Sequence, residues 1–158
     1  MLGAEEVGRL ATGAPFLHWL LVAEGLTTPA LEARCGSRWR SVREVGVAGG
    51  RLVRRHALLD GLGRAVEIAE VRVDGAPMSW AWLSAPLGPW LASRGWRLEK
   101  RDIRPLAFPN WGYWHRVFPE GRWWFEILGR RYWLEASRGE ESVAMRVVEA
   151  WNPALVRI

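Results

Sequence analysis

Two glycine-bearing turns, Ala48-Gly49-Gly50 and Gly61-Leu62-Gly63, join three alternating segments, the first two of them rich in arginine. A connection of two or three residues cannot cross the face of a sheet, so the segments it joins must lie side by side and antiparallel. Residues 38–74 are therefore predicted to form three neighbouring antiparallel strands. The end of the chain reads similarly. Pro119-Glu120-Gly121 marks a turn, residues 122–128 and 131–136 are strand-like, 137–141 form a polar turn, and a final strand over 142–151 is stopped by Asn152-Pro153. Residues 5–36 read as helical. Pro15 opens a helix with Phe16, Leu17, Leu20 and Leu21 on one face, and Gly25 ends it. After a short turn at 24–27, Thr28 offers an N-cap with Pro29 at the first helical position, and Gly36 stands where a C-terminal glycine belongs. Residues 87–96 suit a short helix with Gly95 near its end, and 97–110, with Pro105 and Pro109, read as a loop or flap. The expectation is an α+β fold in one domain over residues 1–158, a single antiparallel sheet with helices and helical flaps enclosing a ligand pocket.

Composition removes several classes of function. Phe16 to Ala23 is too short to span a bilayer, is interrupted by His18, and carries no signal-peptide flanks, so a cytoplasmic chain with no membrane partner is expected. Cys35, the single cysteine, can form neither an internal disulfide nor a thiolate metal site alone, and is expected as a small thiol at a helix end. His18, His56 and His115 lack metal-ligand spacing, so no metal is predicted, and no cofactor motif is found: no phosphate-cradling glycine loop follows a strand and no serine sits in a nucleophile elbow. The net charge of +5 invites a nucleic-acid reading, but 17 acidic residues are interspersed and no run of four basic residues occurs. Of the 22 basic residues only Lys100 is a lysine. The expected partner is a small anion, which a basic field favours, and not a nucleic acid. Most of the twelve tryptophans must serve packing.

Strand alternation singles out two charges. In 142–151 Glu149 shares a face with Val143, Met145, Val147 and Trp151, and in 51–60 Arg55 shares one with Val53, Ala57 and Leu59, leaving His56 on the other. An unpaired buried ion costs at least roughly several kcal/mol, so each needs a partner or a wet cavity. Burial would raise the glutamate pKa and suit it to proton transfer, and the planar fork of an arginine suits a carboxylate. The same pattern also fits a structural Arg55–Glu149 ion pair, or a register that leaves both in solvent.

Set in order, these pieces resemble the chorismate lyase family, whose members release pyruvate from chorismate and leave 4-hydroxybenzoate without a cofactor. Trp19-Leu20-Leu21, Glu24 and Thr27 resemble the family's early helix and its acidic-then-Thr turn. Arg55-His56-Ala57-Leu58-Leu59, a glycine turn and Ile68-Ala69 resemble its arginine-bearing hairpin. Gly129-Arg130-Arg131, a polar turn and Glu149-Ala150-Trp151-Asn152-Pro153 resemble its C-terminal hairpin, with a glutamate four residues before a proline. The resemblance covers most of the chain outside 76–128. It implies a carbon–oxygen lyase with a link to ubiquinone biosynthesis, with Arg55 on the ring carboxylate and Glu149 at the far ring oxygen as proton shuttle. It places Leu26 and Thr27 in the pocket lid and Glu70 at a position where the family tends to have a ligand-approaching glycine. Arg131 is a further candidate for the enolpyruvyl carboxylate. It also implies that Arg55→Ala and Glu149→Ala each abolish pyruvate release. The rival reading is a non-catalytic ligand-binding module, since effector domains of some bacterial transcription regulators resemble the same fold; the expected lack of room for a winged helix before Arg38 weighs against a complete regulator but not against a stand-alone sensor.

Overall fold

The computed structural model describes residues 3, 5, 6, 9, 13–35, 40–48, 51–73, 87–108, 112–120 and 126–156, with 35, 40–48, 51 and 113 described through the backbone alone. The expected turn at Gly49-Gly50, the cap at Gly36, the strand start at 122–125 and the burial of Cys35 lie outside what is described. Among the described residues, six strands form one antiparallel sheet: β1 (Arg40–Ala48), β2 (Arg51–Leu59), β3 (Ala65–Val73), β4 (Arg97–Phe108), β5 (Ile127–Arg138) and β6 (Glu141–Trp151). Their spatial order is β1-β2-β3-β6-β5-β4, so the N-terminal three-stranded unit and the C-terminal one join along β3 and β6. The α+β architecture is as the sequence indicates.

Helix α1 (Pro15–Val22) starts at its proline and buries Leu17, Leu20 and Leu21, and α2 (Thr28–Cys35) follows the turn at 24–27. Helix α3 (Leu87–Ser93) ends before Gly95, whose φ of 77° is natural for glycine. Two short helices, α4 (Tyr113–Val117) and α5 (Pro153–Val156), complete the chain. The hairpin at 60–64 is held by Asp60, whose Oδ1 accepts the backbone N–H groups of Leu62 and Arg64 at 2.9 Å each.

The stretch expected as a loop or flap is instead the long edge strand β4, paired from Arg97 to Phe108 with β5. Pro105 is tolerated because an edge strand leaves one row of N–H groups unpaired, and the interruption falls at a bulge around Asp102, which has φ 54°. Residues 129 and 130, which fall between the strand-like segments 122–128 and 131–136, lie inside β5. Gly129 is there because a Cβ would strike the Glu149 carbonyl and the Ala150 Cα on the neighbouring strand.

One sheet face carries the helices α1, α2 and α3 and two apolar clusters. Leu17, Leu20, Leu21, Leu31, Leu128 and Trp151 form one, and Val71, Val73, Leu91, Tyr132, Leu134, Met145 and Val147 the other. The opposite face packs Phe118, Ile127 and Ala150 near α4, and elsewhere exposes arginines and Trp133. Paired residues share a face, so the row His56–Ala69–Glu149–Arg130 runs across the covered face between the two clusters.

Candidate active site: a polar seam beneath a lid

A cavity of about 130 Å³ opens at this seam. Its floor is Ala69, Val71, Leu134 and Val147, its roof the turn at 24–28 with Leu87 to Pro89, and its polar wall Glu67, Glu149, His56, Tyr132 and Lys100. For scale, an apolar cavity of about 150 Å³ takes up benzene, so the volume suits one six-membered ring.

Glu149 is buried and doubly held. Arg130 Nε donates to Oε2 at 3.0 Å and the Tyr132 hydroxyl to Oε1 at 2.6 Å. Burial pushes this carboxyl up, but the Arg130 guanidinium, then Lys100 and the Tyr132 hydroxyl, outweigh it and hold the pKa below the usual glutamate range. The expectation that burial raises the Glu149 pKa is thus corrected: the partners that come with burial decide the sign. Tyr132 is pushed well above the usual phenol range, first by burial and then by Glu149, so it stays a donor. Arg130 is fully buried, donates Nη1 to the Ala23 carbonyl at 2.7 Å, and lies over the rings of Tyr132 and Trp151.

Glu67 is the contrast. It sits two residues from Ala69, the partner of Glu149, and receives the Trp151 indole N–H at 2.7 Å. Burial first, and the charge of Glu149 second, push it up to about 8. At neutral pH it is a carboxylic acid beside a carboxylate. Lys100, from β4, donates Nζ to the Gly25 carbonyl of the lid at 2.7 Å and lies 5.0 Å over the Tyr132 ring. Burial lowers it to about 8, with Glu149 and Glu67 opposing and Arg130 assisting. His56 is pushed down to about 4 by burial and then by Arg54, and is a neutral imidazole. The buried His56 Nδ1 and Arg130 Nη2 have no hydrogen-bond partner among the described residues, and buried polar groups rarely stay so.

Of the site residues expected from the sequence, Glu149, Leu26 and Thr27 come together at this cavity. Arg55, Glu70 and Arg131 do not. They share the row Arg55–Glu70–Val148–Arg131 on the opposite face. Arg55 is half exposed and donates Nε to Glu70 at 2.8 Å, and Glu70 also accepts from Arg72 at 2.6 Å. Neither an Arg55–Glu149 ion pair nor a joint Arg55–Glu149 clamp exists. The reason is a bulge: Leu58 faces Glu67 but Leu59 faces Ala65, so Val66 is an extra residue. Without it Arg55 would face Ala69 and share the face of Glu149. With it Arg54 is turned inward and buried. Arg131 is likewise replaced by its neighbour Arg130, because the turn at Gly139 and Glu140 brings Arg138 opposite Glu141 and hence Arg130 opposite Glu149.

The residues that sequence reasoning missed are Glu67, Lys100, Tyr132, Arg130, Arg54 and an inward His56. Glu67 was open to the same test as Glu149, since it alternates with Ala69, Val71 and Val73. Lys100 was marked by being the one lysine among 22 basic residues. Among the described residues no three His, Cys, Asp or Glu side chains gather where they could hold a metal ion, and no helix is long and apolar enough to cross a membrane. No protein-family model matches the chain, and no curated protein matches it.

Proposed function

We propose that this cavity binds a small anionic ring compound and that the chain is a chorismate lyase-like enzyme, eliminating pyruvate from chorismate to give 4-hydroxybenzoate. The observation that carries the proposal is a one-ring cavity whose polar wall sets Lys100 and the Arg130-held Glu149 around a single apolar floor. Lys100 and Arg130 bring more positive charge to the region than ionised Glu149 balances, which favours an anionic guest. In this reading Lys100 takes a carboxylate, Arg130 holds Glu149 in place, and Glu149 accepts a hydrogen bond from the ring hydroxyl and takes the proton from the carbon that bears it. The ring becomes aromatic, so the driving force resides in the substrate. The site has to orient the ring, exclude water beneath the lid and relay protons.

Incubation of the purified chain with chorismate tests this by the appearance of 4-hydroxybenzoate and pyruvate. Glu149→Ala is expected to abolish both while the protein stays folded by circular dichroism. A Glu149→Ala variant as active as the parent would refute the assignment. A second reading is a non-catalytic sensor of the same ligand class. It is favoured by the two hydrogen bonds to Glu149, which weaken it as a base and suit it to hold a ligand hydroxyl. Under that reading calorimetry detects 4-hydroxybenzoate binding and chorismate is recovered unchanged.

A further inference from the structure

The elimination leaves one proton without a source. When the ring C–H bond breaks, its proton passes to Glu149 and its electron pair forms the last ring double bond as the neighbouring ring carbon–ether oxygen bond breaks. The pair of that C–O bond departs with enolpyruvate, which must gain a proton to leave as pyruvate. We infer that Glu67 is the proton donor to this leaving group, forming with Glu149 an acid–base pair on diagonal positions of β3 and β6. The inference rests on the lyase reading.

The two carboxyls come from different strands and have different partners. Both line the same cavity wall, Glu67 facing Trp151 and Glu149 facing Ala69 across one strand pair. The backbone positions of such a diagonal lie about 7–8 Å apart, within reach of long side chains, so two carboxyls on different strands can address one guest. Glu149 holds a guanidinium and a phenol. Glu67 accepts the neutral indole N–H of Trp151 and is 3% exposed. Two carboxylates sharing one buried site cannot both ionise cheaply, and the one with the weaker partners keeps the proton. The charges facing Glu67 are Glu149 from β6, Arg130 from β5 and Lys100 from β4, and His56 of β2 lines the same wall as a neutral ring. The proton gained by Glu149 equals the one lost by Glu67, so one transfer between them, directly or through water, resets the pair.

Two groups of this wall titrate near pH 8, Glu67 and Lys100; Lys100 holds a substrate carboxylate, so its deprotonation raises KM, whereas that of Glu67 lowers turnover, and the test has to tell them apart. The turnover number of the parent is measured against pH beside Glu67→Gln and Lys100→Arg, with the affinity of each for 4-hydroxybenzoate and an infrared difference spectrum for the protonated carboxyl. Turnover is expected to fall above about pH 8 in the parent and in Lys100→Arg. Glu67→Gln, which keeps an acceptor for the indole, is expected to lose about 10²–10⁴-fold in turnover, lose the alkaline limb and the carboxylic-acid band, and bind 4-hydroxybenzoate within about threefold of the parent. Parent-like turnover in Glu67→Gln, or an alkaline limb that survives in it and vanishes in Lys100→Arg, overturns the role of Glu67 and leaves the lyase reading standing. A parent chain that releases no pyruvate overturns the lyase reading, and the proton-donor role with it.

Discussion

Arg130 gives Nε to Glu149 and Nη1 to the Ala23 carbonyl, so one guanidinium ties the catalytic carboxylate of the proposal to the segment leading into the lid. Removing it leaves Glu149 buried with the Tyr132 hydroxyl as its one remaining hydrogen bond among the described residues. Arg130→Ala is expected to lower unfolding free energy in urea by about 3–5 kcal/mol, the range for stripping one partner from a buried pair. Arg55 offers the opposite case. Its partner Glu70 keeps Arg72, and both Arg55 and Arg72 are well exposed. Arg55→Ala is expected to change stability by less than about 1 kcal/mol and to leave 4-hydroxybenzoate affinity unchanged. A large loss of affinity in Arg55→Ala would return Arg55 to the cavity face and overturn the register described for β2.

At the scale of elements, the seam exists because β5 and β6 approach closely where Gly129 faces Ala150. The hairpin fixes which residues face the cavity, and Gly129 lets the backbones meet without a Cβ between them. Gly129→Ala is expected to destabilise at or above the upper end of the about 1–3 kcal/mol seen for overpacking, because the obstructing atoms are backbone and cannot rotate away. Thermal unfolding followed by circular dichroism measures it, and an unchanged midpoint would contradict the close approach. The edge strand β4 contributes through its one inward lysine. Lys100 joins the sheet to the lid at Gly25, so the strand that read as a flap serves as the cavity's rigid side wall.

For the whole molecule, the buried titratable groups give stability a particular pH dependence. The folded state holds the Glu67 proton up to about pH 8, whereas the unfolded chain loses it near 4.5. The folded state therefore binds more protons over that interval, and stability falls as pH rises through it. His56 acts oppositely between about 4 and 6.5, where the unfolded chain is protonated and the folded one is not. Glu149, held below its usual range, stays ionised in both states above pH 6.5, and Lys100 adds a rising contribution only above about 8. The fall is thus clearest from pH 6.5 to 8. It is expected to reach at most about 2 kcal/mol, at about 1.4 kcal/mol per pH unit for one proton. Urea unfolding at the two pH values measures it, and Glu67→Gln is expected to flatten the slope. A stability that rises over that interval in the parent would show that Glu67 is not held neutral.

The sequence by itself determined the local features: the proline and glycine limits of α1 and α3, the hairpin at 60–64, the length of β6 and the inward face of Glu149 with Met145, Val147 and Trp151. These follow from contacts a few residues apart, where backbone preferences and a single alternation suffice. Tandem arginines are ambiguous by the same test. Arg54-Arg55 and Arg130-Arg131 put one guanidinium on each face whichever way the strand turns, and both alternating sets in β2 contain apolar residues. Only strand pairing chose between them, through one extra residue at Val66 and the tight turn at Gly139 and Glu140. The protonation of the carboxyls was likewise a tertiary outcome. Glu67 and Glu149 are the same residue type in similar apolar strands, and what distinguishes them is that β5 brings a guanidinium and a phenol to hydrogen-bond one and not the other.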